Sequence, residues 1–201
     1  MEATLTKGDR TRQAIEEAAY LLFMQHGYHA TSMRQIAERA ELALGSIYNH
    51  FSTKEEIFEA IILDKHPYKR VLPAILAAKG DTAEEFVRNA ARALVSELGH
   101  QPDFVKLMFI EIIEFNGHHA DLLLKEVAPK LLPAFERLVK VRKNLRRIPP
   151  PILARSFMGM FFSYYVTEIF IRGSALAKLM PKNSFDLFVD VYLHGILKEP
   201  A

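Results

Sequence analysis

The sequence predicts an all-α chain of about nine helices, three of them in a small N-terminal domain and the rest in a larger C-terminal one. Two observations carry that expectation. Apolar residues recur at i, i+3, i+4 and i+7 along most of the 201 residues, and nowhere do they alternate as in a half-buried strand. Residues that start and stop helices also fall at the ends of the periodic runs.

The first helix begins near Lys7 and carries Ile15, Ala18, Ala19, Leu22 and Phe23 on one face, until Gly27 stops it. Ser32 caps the next, with Gln35 three residues on in capping-box position and Ile36, Ala37 and Ala40 facing inward. The turn Glu41-Leu42-Ala43-Leu44 sets Leu42 under a corner. A second short helix, from Gly45 to about His50, then buries Ile47 and Phe51, four residues apart. Two short helices joined by a four-residue turn have helix-turn-helix spacing. Ser46, Tyr48, Asn49 and His50 are left facing outward, with Lys54 just beyond, a set of polar groups that suits a DNA major groove and its flanking phosphates.

Further along, Ser52 and Glu55 form a second capping box ahead of Ile57, Phe58, Ile61 and Ile62, a run that Pro67 and then Pro73 interrupt. Two readings of His66-Pro67 stand equal: a hinge, or simply a helix end at Lys65. Asp81, with Glu84 at N3, opens a helix that ends at Gly99; Pro102 opens another that ends at Gly117. A helix from about Ala120 to Lys143 follows, disturbed by Pro129 and Pro133. It runs into the most basic stretch, with Arg137, Lys140, Arg142, Lys143, Arg146 and Arg147, read as a solvated helix end rather than a second DNA or membrane contact. Pro149, Pro150 and Pro151 reset the chain. The segment from Ile152 to Arg172 is apolar nearly all round, and a last helix, capped by Ser184, aligns Phe185, Phe188, Val189, Tyr192 and Ile196.

Composition narrows the function classes. Half the residues are apolar, ample for a core, and there are no cysteines, which rules out disulfides and thiolate metal sites and fits a reducing cytoplasm. The N-terminus carries no apolar signal region, and the uncharged run between Arg155 and Glu168 holds twelve residues, against about 20 needed to span a bilayer. A cytoplasmic protein without membrane contact is expected. Net charge is +2, and residues 1–54 are neutral, with six basic side chains (Lys7, Arg10, Arg12, Arg34, Arg39, Lys54) and six acidic ones (Glu2, Asp9, Glu16, Glu17, Glu38, Glu41). DNA affinity would therefore lean on hydroxyl, backbone and His contacts as well as counterion release. His118-His119 with Asp121, and His26 with His29, lack metal-ligand geometry, since adjacent helical residues diverge by about 100°. No metal, no cofactor and no catalytic residue is expected: the sequence has no Gly-rich phosphate loop and no nucleophile elbow.

The pattern G-Y-x-x-T-[ST]-x-x-x-I-A-x-x-A followed by G-x-[IL]-Y-x-H-F-x-x-K-E-x-[IL], spanning Gly27 to Ile57, resembles the N-terminal domain of TetR-type transcriptional regulators. The C-terminal VDVYLHGI is similar to that family's last helix. The resemblance implies a DNA-binding domain over 1–53 and an effector-binding and dimerisation domain over 54–201. It implies DNA contact by Gly45, Ser46, Tyr48, His50 and Lys54, supported by Ser32 and Arg34; Leu44 and Asn49 complete the expected surface. Two positions depart from the family: Ala43 stands where a capping Ser or Thr is frequent, and Leu44 where Lys is. The resemblance further implies a small, hydrophobic effector of unknown identity held among Phe104, Met108, Glu111, Phe115, Phe161, Tyr165 and Glu168. Glu168 has an ordinary ion-pair partner in Arg172, four residues on. A homodimer is expected through Phe157, Phe161, Tyr164, Phe188, Tyr192, Gly195 and Ile196, bound to a palindromic double-stranded operator and released by the effector. The other function class left open is a helical ligand-binding or interaction module that does not read DNA specifically.

Overall fold

A computed structural model describes residues 6–127, 129–130 and 146–196. All regular structure among them is helical: α1 (Lys7–His26), α2 (Met33–Arg39), α3 (Leu44–Tyr48), α4 (Lys54–Lys65), α5 (Tyr68–Ala77), α6 (Ala83–Gly99), α7 (Phe104–Phe115), α8 (120–127), α9 (Pro150–Ile171) and α10 (Ser184–Ile196), with a 3-10 turn at Ala175–Lys178. They form two compact units, one of residues up to 66 with 103–124, the other of 67–102 with the residues from 125 on.

In the first unit α1 packs on α2 and α4, and α2 on α3. Its core joins Ile15, Ala19 and Phe23 of α1 to Ile36 and Ala37, then to Ile47, Phe51, Ile57, Phe58 and Ile61. Burying each large apolar side chain in it contributes roughly 1.5–3 kcal/mol. Thr6 and Asp9 make a capping box at the start of α1, and Gly27, at φ 84, ends it in a left-handed conformation that a residue with Cβ resists. Leu42 packs under the α2–α3 corner as expected. The preceding Glu41 takes φ 56 there, and the Leu42 N–H returns to the Ala37 carbonyl at 3.0 Å to close the end of α2.

Three helix starts differ from the sequence expectation. α4 is capped by Thr53, whose hydroxyl accepts the Glu56 N–H, while the Glu56 carboxylate accepts the Ser52 N–H at 2.6 Å. α6 is capped by Thr82 with Glu85, not by Asp81 with Glu84. Both pairs keep the three-residue spacing; the burial of Ala83 and Phe86 selects the register. Pro102 lies before the N-cap of α7, which is Asp103.

The second unit contains a helix that the prolines conceal in the sequence. α4 ends at Lys65, His66 is extended, and Pro67 becomes the N-cap residue of α5, which runs on through Pro73. Tyr68, Val71, Leu72 and Ile75 supply its buried face. The apolar face of α4 is part of the first unit's core, so that compact unit runs to His66 and takes in 103–124 as well. α6 packs against α5, α9 and α10. Arg88 ties α6 to α10, with guanidinium contacts to Asp186 at 3.0 Å and Asp190 at 2.9 Å, and Arg92 adds a second link to Asp186 at 3.1 Å. The predicted helix from Ala120 is described as far as 127, and most of the basic stretch, Arg137 to Lys143, lies outside the described residues. Among the described residues no helix is long and apolar enough to cross a membrane.

Candidate nucleic-acid interface and cavity

α3 is five residues long and presents two different faces. Ile47 is fully buried and Phe51, just past the helix, nearly so, which anchors one side in the core. Tyr48, on the other side, is 52% exposed, with Asn49 and Gly45 also exposed and Ser46 and His50 half-buried. A Cβ placed on Gly45 would meet nothing within 4 Å, so internal packing does not require glycine there. A helical glycine is destabilising by about 1 kcal/mol relative to alanine, and the open space it leaves lets another molecule approach the backbone. At the start of α2, Ser32 and Arg34 are exposed, and the Ser32 hydroxyl is engaged in its capping box with Gln35. Ala43, at the N-cap of α3, makes no side-chain cap, in keeping with its departure from the family pattern.

Two residues of the expected DNA surface are used internally. Leu44 is half-buried and packs against the core of the first unit. The Lys54 ammonium donates to the carbonyls of Tyr28 and Thr31, both at 2.7 Å, and lies 4.2 Å from the centre of the Tyr28 ring. Lys54 thus ties the start of α4 to the α1–α2 connection instead of reaching outward. Burial pushes the Tyr28 phenol up to about 12, helped by the carboxylates of Glu55 and Glu114. Arg12 is drawn inward too: its guanidinium sits 4.1 Å over the Phe51 ring, donates to the His50 carbonyl at 3.3 Å and pairs with Glu16. The first two contacts hold the end of α3 to α1, and the third lies within α1.

The residues expected to hold an effector separate into two groups in different units. Phe104, Met108, Glu111 and Phe115 belong to the first unit. Phe115 stacks on Phe58 at 4.8 Å, and Phe104 meets the His66 ring edge-on at 5.0 Å. Glu111 is 2% exposed and fully engaged: one carboxylate oxygen accepts the His119 N–H at 2.8 Å, and the other lies 2.7 Å from the His119 Nδ1. The partner of this buried carboxylate is thus one of the adjacent histidines. The left-handed turn at Asn116 and Gly117 folds the chain back by eight residues to make the pair, which helical periodicity does not show. Among the described residues no group of His, Asp and Glu is arranged to hold a metal ion.

In the second unit Phe161 is fully buried among the rings of Phe157, Phe185 and Tyr192 and does not line the cavity beside α9. Tyr165 and Glu168 do: with Tyr164 and Ile169 of α9 and Arg172 at its C-cap they face an open cavity of about 420 Å³, bounded on its other side by Val95, Gly99 and Pro102. Its volume is in the range of small-molecule sites. The expected Glu168–Arg172 ion pair does not form, and only their backbones are joined.

Most of the residues expected at the dimer face are used within one protomer. Phe161, Tyr192 and Ile196 are 0–6% exposed within one protomer, and the Tyr192 hydroxyl donates to the Leu153 carbonyl at 2.9 Å. Phe157 packs on Tyr192, and Tyr164 on Phe185 and Phe188, so this aromatic stripe joins α9 to α10. Gly195 is exposed, its carbonyl accepting from Arg146 at 3.0 Å. The outward apolar residues are others: Ile152, Met158, Ile169 and Phe170 on α9, and Leu187 and Val191 on α10.

Comparison with known proteins agrees with this geometry. The family model of bacterial regulatory proteins, tetR family, matches residues 15–61, from the core of α1 to α4. YvkB of Bacillus subtilis, an uncharacterised HTH-type transcriptional regulator, is 32% identical over 185 residues, covering 89% of this chain and 95% of its own. Salmonella enterica GusR superposes with a TM-score of 0.69 at 20% identity over 96% of this chain and 98% of its own. NalD, the secondary repressor of the MexAB-OprM multidrug efflux pump in Pseudomonas aeruginosa, does so with a TM-score of 0.65 at 18% identity, covering 96% and 100%. With the helix-turn-helix in place and a relative of this identity matching nearly end to end, the chain belongs to the tetR family of bacterial transcription regulators.

Proposed function

We propose that this regulator is a repressor that binds a palindromic operator as a homodimer and is released by a small effector held in the second unit. The observation that carries the DNA reading is the two-faced α3, with Ile47 and Phe51 locked in the core and Tyr48 half-exposed beside Gly45. Tyr48 and Asn49 offer a ring for a thymine methyl and an amide for a base edge; Ser32, Arg34, Ser46 and His50 are placed for phosphates. Leu44 and Lys54 are left out of that surface, which makes the electrostatic share of affinity small. Residues 1–53 then read DNA and 54–201 bind effector and partner, although α4 packs with the former. A dimer through the outward apolar residues of α9 and α10, Val191 and Leu187 among them, fits a two-fold symmetric target. NalD is a repressor, which supports the sign of regulation proposed here. By linkage, effector and operator weaken each other's binding.

Selection of bound duplexes from a random pool by the purified protein tests this reading. An enriched palindrome, lost with Tyr48→Ala while the fold is kept, supports it; sequence-blind binding unaffected by that change overturns it. The neutral charge of residues 1–54 and the half-buried Leu44 favour a second reading, a helical ligand-binding or interaction module without specific DNA binding. A protein that binds effector but enriches no duplex, with or without effector present, would establish it.

A further inference from the structure

Three polar groups at the end of α9 line the second unit's cavity without a bonding partner among the described residues: the buried Tyr165, the half-buried Glu168 and, at the C-cap, the exposed Arg172, at spacing i, i+3 and i+7. Tyr165 is 7% exposed, yet its hydroxyl makes no hydrogen bond to any described residue, unlike the buried Tyr192, whose hydroxyl is satisfied by a carbonyl. The ring is buried while the hydroxyl oxygen stays open to the cavity, where a bonding partner can reach it. The Glu168 carboxylate and the Arg172 guanidinium are one helical turn apart in the order that favours an ion pair, and they make none. Val95, Pro102 and Ile169 supply apolar wall around them. The cavity therefore presents an unpaired anion, an unpaired cation and an unused hydroxyl beside an apolar surface.

A ligand charged with only one sign would match one of these groups and stand next to a like charge in the other, and a neutral ligand would cover both charges without compensating either. A molecule carrying both signs pairs with both. We propose that the effector is a small amphipathic zwitterion, its ammonium on Glu168, its carboxylate between the Arg172 guanidinium and the Tyr165 hydroxyl, and its apolar body against Val95, Pro102 and Ile169. This rests on the reading of the cavity as the effector site and adds the chemical class of what it takes.

Three probes sharing one phenylalkyl body test it by calorimetry on the full chain without DNA: 3-phenylpropylamine, 4-phenylbutanoate and 2-amino-4-phenylbutanoate, which carries both charges. The zwitterion is expected to bind at least tenfold more tightly than either singly charged probe. Glu168→Gln should bring it down to the level of the carboxylate, Arg172→Gln to the level of the amine, and Tyr165→Phe should weaken it and the carboxylate but spare the amine, each variant keeping the wild-type circular dichroism. A singly charged probe that binds as tightly as the zwitterion, absence of binding by all three, or indifference to the substitutions overturns the proposal. Because no DNA is present, such a failure is distinct from failure of the repressor reading, which duplex selection decides.

Discussion

Glu111 holds His119 at two points, through the backbone N–H at 2.8 Å and the ring Nδ1 at 2.7 Å, with each residue 2% exposed. The rings of Phe58 and Phe115 lie 5.8 and 4.9 Å from the imidazole, so the pair is closed in by aromatics. A buried carboxylate in such a place is tolerated because both its oxygens are used. Glu111→Ala leaves the His119 N–H and ring nitrogen without their acceptor and should destabilise the protein by about 3 kcal/mol in urea unfolding. A loss below 0.5 kcal/mol would show that the pair carries little of the first unit's stability.

Lys54 separates a structural role from a DNA contact. Its ammonium satisfies two carbonyls and is partly desolvated, so Lys54→Met should lower stability by roughly 1–3 kcal/mol. With operator in hand, the slope of log affinity against log salt should stay as in wild type, since no phosphate contact is removed. A slope reduced by about one unit would place Lys54 on the DNA after all.

Tyr48 is the reverse case. At 52% exposure, outside the core, Tyr48→Ala should change stability by no more than about 0.5 kcal/mol while weakening operator binding tenfold or more. Thermal melting and a gel-shift titration measure the two quantities, and a parallel loss of both would point to a packing role instead.

Acid should weaken the fold through His66. Burial pushes its imidazole down from 6.5 to about 4, so the folded state holds it neutral where the unfolded chain takes up a proton. The stabilisation is complete above pH 6.5 and is lost as the pH falls toward 4, by at most about 3 kcal/mol. His66→Leu should flatten the stability profile between pH 6.5 and about 5.5, above the ordinary Glu value of 4.5. A profile as steep as wild type in that window would assign the acid sensitivity to other groups.

A charge on the outward face of α10 should test the dimer. Val191 is 66% exposed in the protomer, so Val191→Glu is expected to leave monomer folding unchanged and to shift the sedimentation equilibrium toward monomer. Unchanged association would move the interface off this helix.

What the sequence determined by itself is local. The helix-turn-helix and its inward and outward sides, the stop at Gly27 and the missing cap at Ala43 were legible because each depends on spacings of three or four residues within a helix or on one residue's φ preference. α5 was missed: the spacing of Tyr68, Val71, Leu72 and Ile75 is helical, but Pro67 and Pro73 hid it, since a proline reads as a break even where it opens a helix. Tertiary structure decided the rest. A helix that is apolar nearly all round does not say which side meets its own neighbour, so only packing shows that Phe161 and Tyr192 close α9 onto α10 and leave Leu187 and Val191 outside. The same holds for side chains with long reach. Lys54 turns back to carbonyls 26 and 23 residues away, and Glu111 finds His119 across a left-handed turn. In each case the partner is chosen by desolvation and by which groups the folded backbone leaves unsatisfied, and both exist only once the chain has packed.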